Sequence, residues 1–156
     1  MSMEGVSGPS PDMGSNESIR CSFLDLGGMW GVDGDVAFRA EIAGASRVVL
    51  FDGMDPTEGF QAKHRESNSK VTYVQGDLRD PVDVQSLGSF DVVWCAGVVY
   101  HSPSPYLLLH HLRSLTDRWL LLGTEVIPEV PGIENACVFY PNRSTASQRA
   151  FGACLR

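Results

Sequence analysis

Short apolar runs alternate with amphipathic stretches along most of this chain, and this alternation constrains the fold more than any other feature. The apolar runs have the length and composition of buried β-strands and cover residues 21–26, 47–51, 71–75, 90–96 and 119–127. The stretches with helical spacing or helix-start signals cover residues 35–43, 56–65, 81–87 and 104–115. Strands that alternate with helices predict an α/β fold: a Rossmann-like, doubly wound, mostly parallel sheet with helices on both faces.

The predicted helices carry local start and stop signals. Asp33 or Asp35 can cap the first helix, and Gly44 can end it. Pro56 suits the first position of the second helix, and Ser104 can cap the fourth. The buried face of the first helix is expected to hold Val36, Ala40 and Ala43.

The length of 156 residues predicts one folded domain. Residues 1–17 are rich in Gly, Ser and Pro, and this composition predicts a disordered tail. We expect residues 18–130 to form the ligand-binding domain. Residues 131–156 are poorly patterned and are expected to form an irregular, incomplete extension in which residues 138–140 add a short strand.

Charge and cysteine usage narrow the choice of partners. The formal net charge of −7 repels phosphate backbones and anionic membranes, so we expect neither DNA nor a membrane as a partner. The four cysteines are widely spaced and form no C-x-x-C pair or metal-type cluster. We therefore expect reduced thiols, a cytoplasmic location and no metal site.

Chemically useful residues follow each of the first four predicted strands. Because the carboxyl ends of parallel strands meet at one edge of a sheet, these residues are expected to lie together. Glycines after the first strand let backbone amides approach a ligand closely. A carboxylate that ends the second strand can accept both hydroxyl hydrogens of a ribose, and one after the third can accept from an exocyclic amine. The residues concerned are Gly27, Gly28, Gly31, Asp52, Asp77 and Leu78.

In this order the motifs resemble class I S-adenosylmethionine-dependent methyltransferases over about residues 23–129. The resemblance is carried by the turn Asp25–Gly31, the acidic end of the second strand, Gly-Asp after the third, and Phe-Asp-Val-Val in the fourth. The stretch Gly97–Pro105 resembles the Leu-Tyr-His-x-x-x-Pro segment of a subgroup that includes tRNA wobble-uridine modifying enzymes.

The resemblance implies S-adenosyl-L-methionine as the cofactor and assigns residues to its parts. The glycine turn would hold the amino-acid end through Asp25, Gly27, Gly28 and Gly31. The ribose would meet Asp52 and Gly53, the adenine would meet Asp77 and Leu78, and the sulfonium would lie beside Cys95, Ala96 and Gly97. The chain departs from the family at Met29, where many members have glycine, and Met29 and Trp30 are expected to narrow the pocket.

The implied reaction is in-line transfer of a methyl group to a small molecule or an RNA base. His101 follows the fourth strand and is a candidate base, although a histidine at such a position is more often a structural hydrogen-bonding residue. His110 and His111 are interpreted as surface or packing residues. The alternative function is a non-catalytic Rossmann-like domain that supports a partner in a homo- or hetero-oligomer. A nicotinamide-dependent oxidoreductase is disfavoured, because Gly27–Gly31 lacks the Gly-x-Gly-x-x-Gly spacing.

Overall fold

The computed structural model describes residues 21–126, 129 and 131–132, and these form an α/β fold with one five-stranded sheet. The strands are β1 (Ser22–Leu26), β2 (Arg47–Asp52), β3 (Thr72–Gln75), β4 (Phe90–Ala96) and β5 (Thr116–Gly123). The helices are α1 (Asp35–Ile42), α2 (Glu58–Glu66), α3 (Pro81–Leu87) and α4 (Pro105–Leu115), with a 3₁₀ turn at Val99–His101. The predicted tail of residues 1–17 and the predicted strand at 138–140 lie outside the described residues.

All neighbouring strands in the sheet are parallel, in the order β3-β2-β1-β4-β5. The chain therefore leaves the central strand β1 towards one edge through β2 and β3, and then crosses back to β4 and β5. The change of direction lies beside β1, which is where open α/β sheets form a ligand crevice at their carboxyl ends. The prediction of a Rossmann-like parallel sheet is confirmed.

Alternate residues of the strands contribute to two apolar cores, one on each face of the sheet. Leu24 and Leu26 of β1 point into a core that α3 and α4 cover, with Leu112 fully buried. Leu50 of β2 points to the opposite face, where α1 and α2 contribute Phe38 and Phe60. Each fully buried aliphatic or aromatic side chain contributes roughly 1.5–3 kcal/mol by leaving water. The predicted placement of helices on both faces is confirmed.

The start of α1 differs from the prediction. Its N-cap is Gly34 in the left-handed conformation, and neither predicted aspartate caps it. The carboxylate of Asp33 instead accepts a hydrogen bond from the Thr57 hydroxyl at 2.6 Å. A Cβ at position 34 would lie 2.6 Å from Cδ2 of Phe60, so only glycine fits this close approach.

The buried face of α1 was predicted only in part, because Ala40 packs against the core as expected, whereas the other two predicted residues do not. Ala37 and Phe38 are buried, whereas Ala43 is exposed and Val36 only half-buried. The apolar stripe is shifted because Phe38 packs beside Phe60 of α2, with ring centroids 5.2 Å apart.

The predicted starts of α2 and α4 also need correction in detail. Thr57 is the N-cap of α2, since its side chain accepts from the Phe60 amide, and Pro56 lies before the helix. Ser104 is the N-cap of α4, but its side chain makes no capping hydrogen bond.

β5 is shifted towards the N-terminus relative to the prediction. It begins at Thr116, directly after α4, and ends at Gly123 rather than at residue 127. Within the described part of the chain it pairs with β4 alone, and Trp119 and Leu121 are exposed. No helix among the described residues is long and apolar enough to cross a membrane.

Candidate functional site

A cavity of about 370 Å³ opens where the strands β1 to β4 end. Its wall runs from Leu26 at the end of β1, past the ends of β2 and β3, to the 3₁₀ turn after β4. Six of the residues selected from the sequence line it: Gly27, Asp52, Gly53, Asp77, Leu78 and His101. The expectation that these residues meet at one sheet edge is met geometrically, while their roles in binding stay predictions.

Gly27 lines the cavity, and any other residue at this position would be strained. Its φ of 77° lies in the left-handed region, which favours glycine. A Cβ there would lie 2.4 Å from Cγ2 of Val98, which also lines the cavity. Its backbone amide donates to the carbonyl of Phe51 at 2.9 Å and so ties the end of β1 to β2.

Neither Met29 nor Trp30 lines the cavity, so the expectation that these two residues narrow it is wrong. The Met29 side chain is fully buried in the core beneath α1 and α2, where it packs near Phe38 and Leu50. The larger residue in the turn is accommodated because it points away from the cavity wall. Its backbone amide still faces the site and donates to Oδ2 of Asp52 at 2.9 Å.

Asp52 organises two loops around the cavity through its carboxylate. Oδ2 accepts from the amide of Met29, and Oδ1 accepts from the amide of Met54, each at 2.9 Å. A carboxylate offers about four acceptor positions, so about two remain, one on each oxygen. A pair of neighbouring hydroxyls on a ligand matches this remaining capacity.

Asp77 is held by a partner that the sequence reading missed. The guanidinium of Arg79 contacts both oxygens of Asp77 at 2.6–3.0 Å, and the Arg79 backbone amide donates at 2.8 Å. These hydrogen bonds hold the pKa of the Asp77 carboxyl below its ordinary value. Arg79 also lines the cavity, so a positive group stands at this end of the site beside the predicted adenine contact.

The backbone of Leu78 is held by a hydrogen bond from a buried histidine of α4. Nδ1 of His111 lies 2.7 Å from the carbonyl oxygen of Leu78. His110 is exposed and His111 is 6% exposed, which agrees with the interpretation of the two as surface or packing residues, but the hydrogen bond to Leu78 was not predicted. Helical spacing could have indicated the burial of His111, because it lies on the same face as Leu108 and Leu115.

His101 ends the 3₁₀ turn and lines the cavity together with Ser102. Burial lowers the pKa of His101 below its ordinary value, and the negative charge of Glu125 opposes that effect. The ring of Tyr100 lies beside it, with ring centroids 4.2 Å apart. A neutral imidazole at this position can accept a proton.

Asp25 and Gly28 lie behind the cavity rather than on its wall. Asp25 is 1% exposed, and its Oδ2 has no hydrogen-bond partner within the described part of the chain. Burial raises the pKa of Asp25 to about 7; the backbone amide of Ala37 opposes this, and the nearby charge of Asp52 adds to it. A Cβ at Gly28 would come within 2.5 Å of Asp25 Oδ2, so this glycine leaves room for the carboxyl.

The residues expected beside the sulfonium are not on the cavity wall. Cys95 is fully buried in the core with Val93, because alternate residues of β4 point to the same face. Burial, with a smaller contribution from Asp25, raises the pKa of the Cys95 thiol to about 12. Gly97 binds the carbonyl of Gly123 through its amide, and Ala96 faces that same glycine.

Gly31 also stands apart from the cavity, with a φ of 71° and open space where a Cβ would be. Within residues 21–126 and the three further residues described, no group of three or more His, Cys, Asp or Glu side chains is arranged to hold a metal ion.

The model of one protein family, described as the methyltransferase domain, matches residues 33–117, which is more than half of the chain. The chain belongs to this methyltransferase domain family. No protein among the curated sequences matches at a significant level.

Solved structures share the fold of this methyltransferase domain. The N-terminal domain of EvdMO1 with SAH bound is 24% identical at a TM-score of 0.59, over 74% of this chain and 48% of that one. The methyltransferase CalH in complex with SAH is 22% identical at a TM-score of 0.52, over 65% and 31%. The PH0226 protein from Pyrococcus horikoshii is 19% identical at a TM-score of 0.54, over 69% and 50%. The chain thus spans about half or less of the length of these three structures.

Proposed function

We propose that this methyltransferase domain binds S-adenosyl-L-methionine in the cavity at the carboxyl edge of its sheet and transfers the methyl group to a small molecule or an RNA base. The observation that carries the proposal is the convergence of Gly27, Asp52 and Asp77 on one cavity of about 370 Å³. This volume lies within the range of ligand pockets. The family match and the SAH-bound EvdMO1 and CalH structures support the same cofactor.

The residues on the wall suit the parts of an adenosyl ligand. The two acceptor positions left on Asp52 fit the two ribose hydroxyls, since the other two serve the amides of Met29 and Met54. Leu78 offers an apolar surface for a purine. Arg79 already makes four hydrogen bonds to the Asp77 carboxylate, so Asp77 can accept from the exocyclic amine only where the Arg79 side chain gives up one of them. Gly27 lets the backbone approach the amino-acid portion.

When bound, the cofactor supplies a methyl group on a sulfonium, which is already an activated leaving group. The chain's own residues then align the acceptor and keep water from it. His101, neutral because its burial disfavours the charged form, can take the proton from an acceptor that must lose one. The acceptor's class and a cytoplasmic location stay predictions.

Calorimetry with S-adenosylmethionine and SAH tests the proposal on the wild type and on Asp52→Ala. We expect micromolar dissociation constants for the wild type, equivalent to about −8 kcal/mol. Asp52→Ala removes two hydrogen bonds to a charged acceptor, so binding is expected to weaken roughly 100-fold or more. Asp35→Ala is the matched control, because Asp35 is a carboxylate on α1 that pairs with Arg39 in solvent, outside the cavity.

Asp52→Ala also removes the acceptor of two backbone amides, so a change on the ligand side is needed as well. The 2′-deoxy analogue of SAH should bind the wild type more weakly than SAH does, and should lose this disadvantage in Asp52→Ala. Absence of binding to the wild type, or equal binding by Asp52→Ala, would overturn the assignment. Binding without methyl transfer to any acceptor would leave the alternative of a non-catalytic domain.

A further inference from the structure

The loop between β3 and α3 forms the wall of the cavity at the predicted adenine end. Most of its hydrogen bonds among the described residues are local. The Arg79 amide donates to Asp77, the Asp80 amide donates to the carbonyl of Asp77, and the Asp77 amide donates to the carboxylate of Asp83. These bonds shape the loop and tie it to α3, and the Gly76 amide ties its start to the carbonyl of Asp52 at 3.0 Å. None of them holds the carbonyl of Leu78.

A buried hydrogen bond from α4 holds the Leu78 carbonyl. His111 lies 33 positions along the chain from Leu78, and its Nδ1 is 2.7 Å from the Leu78 carbonyl oxygen. A carbonyl can only accept, so Nδ1 must carry a hydrogen. The ring is 6% exposed, so little water is available to replace the bond if it is lost.

The same helix reaches the cavity one turn earlier. Leu108 of α4 lines the wall and is 2% exposed, and it lies three positions before His111 on the same helical face. α4 therefore supports the adenine end of the cavity twice, through an apolar contact and through a directional hydrogen bond.

We infer that His111 is a positioning residue for the adenosyl group. Its Nδ1–H fixes the position and orientation of the Leu78 backbone, and the purine lies against Leu78. This inference rests on the proposed function. His111 touches the loop and not the ligand, so its effect passes through Leu78.

The test compares SAH binding by the wild type, His111→Asn, His111→Gln and His111→Leu. Asparagine places an amide nitrogen near the position of Nδ1 and keeps the donor, whereas glutamine places it near Nε2 and leucine has none. We expect SAH binding within about twofold of the wild type for His111→Asn. For glutamine and leucine we expect roughly tenfold weaker binding, the net value of one buried hydrogen bond. His110→Leu is the matched control, since His110 is the exposed neighbour on the same helix.

Three further measurements separate positioning from a general loss of stability. Thermal unfolding without ligand shows how much stability each variant loses. Binding of 5′-methylthioadenosine, which keeps the adenosyl part and lacks the amino-acid part, should weaken by the same factor as binding of SAH. In the wild type, ¹⁵N NMR of the His111 ring should show a hydrogen on Nδ1. If His111→Leu fails to fold, the comparison of asparagine with glutamine decides the question.

The inference is overturned if asparagine and glutamine bind SAH equally, if His110→Leu weakens binding as much as His111→Leu, or if Nδ1 carries no hydrogen. Failure of the wild type to bind SAH at all would instead count against the proposed function.

Discussion

Replacing Asp25 by asparagine probes the energetic cost of a carboxyl enclosed in the sheet. Asp25 is 1% exposed, its Oδ2 has no partner in the described part of the chain, and Asp52 adds a like charge nearby. These surroundings raise its pKa from the ordinary 3.8 to about 7. Asparagine has nearly the same shape and never ionises, so it removes the titration with little change in packing.

The sign of the effect follows from proton binding. Between pH 4 and pH 7 the folded protein keeps the proton on Asp25, while the unfolded chain has lost it. The unfolded state therefore binds fewer protons, and the free energy of unfolding falls as pH rises. The slope is about 1.4 kcal/mol per pH unit, so a rise in pKa from 3.8 to about 7 amounts to roughly 4 kcal/mol.

The assay is urea unfolding of the wild type and Asp25→Asn from about pH 4 to pH 8.5. Other groups titrate too, including His101, but they are common to both proteins and cancel in the difference. We expect the wild type to lose roughly 3 kcal/mol relative to Asp25→Asn between pH 4 and pH 7, and almost no more above about pH 8. Two parallel stability curves would refute the reasoning, because Asp25 would then ionise as easily in the fold as in water.

Two further predictions concern the glycine turn and the buried thiol. Gly27→Ala should destabilise the fold by roughly 2–5 kcal/mol in chemical unfolding, because it adds a clash with Val98 to a left-handed φ. Gly31→Ala has the same kind of φ but open space, so about 1–2 kcal/mol is expected, and equal losses would contradict the clash. At pH 8 iodoacetamide should modify the half-buried Cys21 and spare Cys95, whose pKa is about 12, until urea unfolds the protein. Mass spectrometry identifies the labelled cysteine, and rapid labelling of Cys95 in the native protein would contradict the burial of its thiol.

The regular elements were predictable where an apolar run is buried and ends in a clear turn. β4 has the predicted bounds, Phe90–Ala96, because it is flanked by strands on both sides and its apolar run from Val92 to Ala96 is continuous. β5 was misplaced because it lies at the sheet edge in the described structure, where Thr116 pairs opposite Phe90 although it is polar. Apolarity locates buried strands better than edge strands.

The candidate site was predictable at the level of the sheet edge, and less so for contacts made by side chains. Parallel strands bring Gly27, Asp52 and Asp77 together from topology alone. The direction of Met29 into the core depends on the space beneath α1 and α2, which no local pattern reports. The hydrogen bonds from the Arg79 guanidinium to the Asp77 carboxylate depend on the loop conformation. The burial of His111 follows from helical spacing, but its hydrogen bond to Leu78 does not, and the sequence indicated only a packing or surface residue.

Hydrogen exchange measured by mass spectrometry, with and without SAH, tests most directly the claim that an adenosyl ligand occupies this edge of the sheet. The account predicts slower exchange in three separate segments, the turn after β1, the end of β2 with Gly53, and the loop holding Leu78, with little change along α1. Protection confined to other segments, or no protection at saturating SAH, would contradict it.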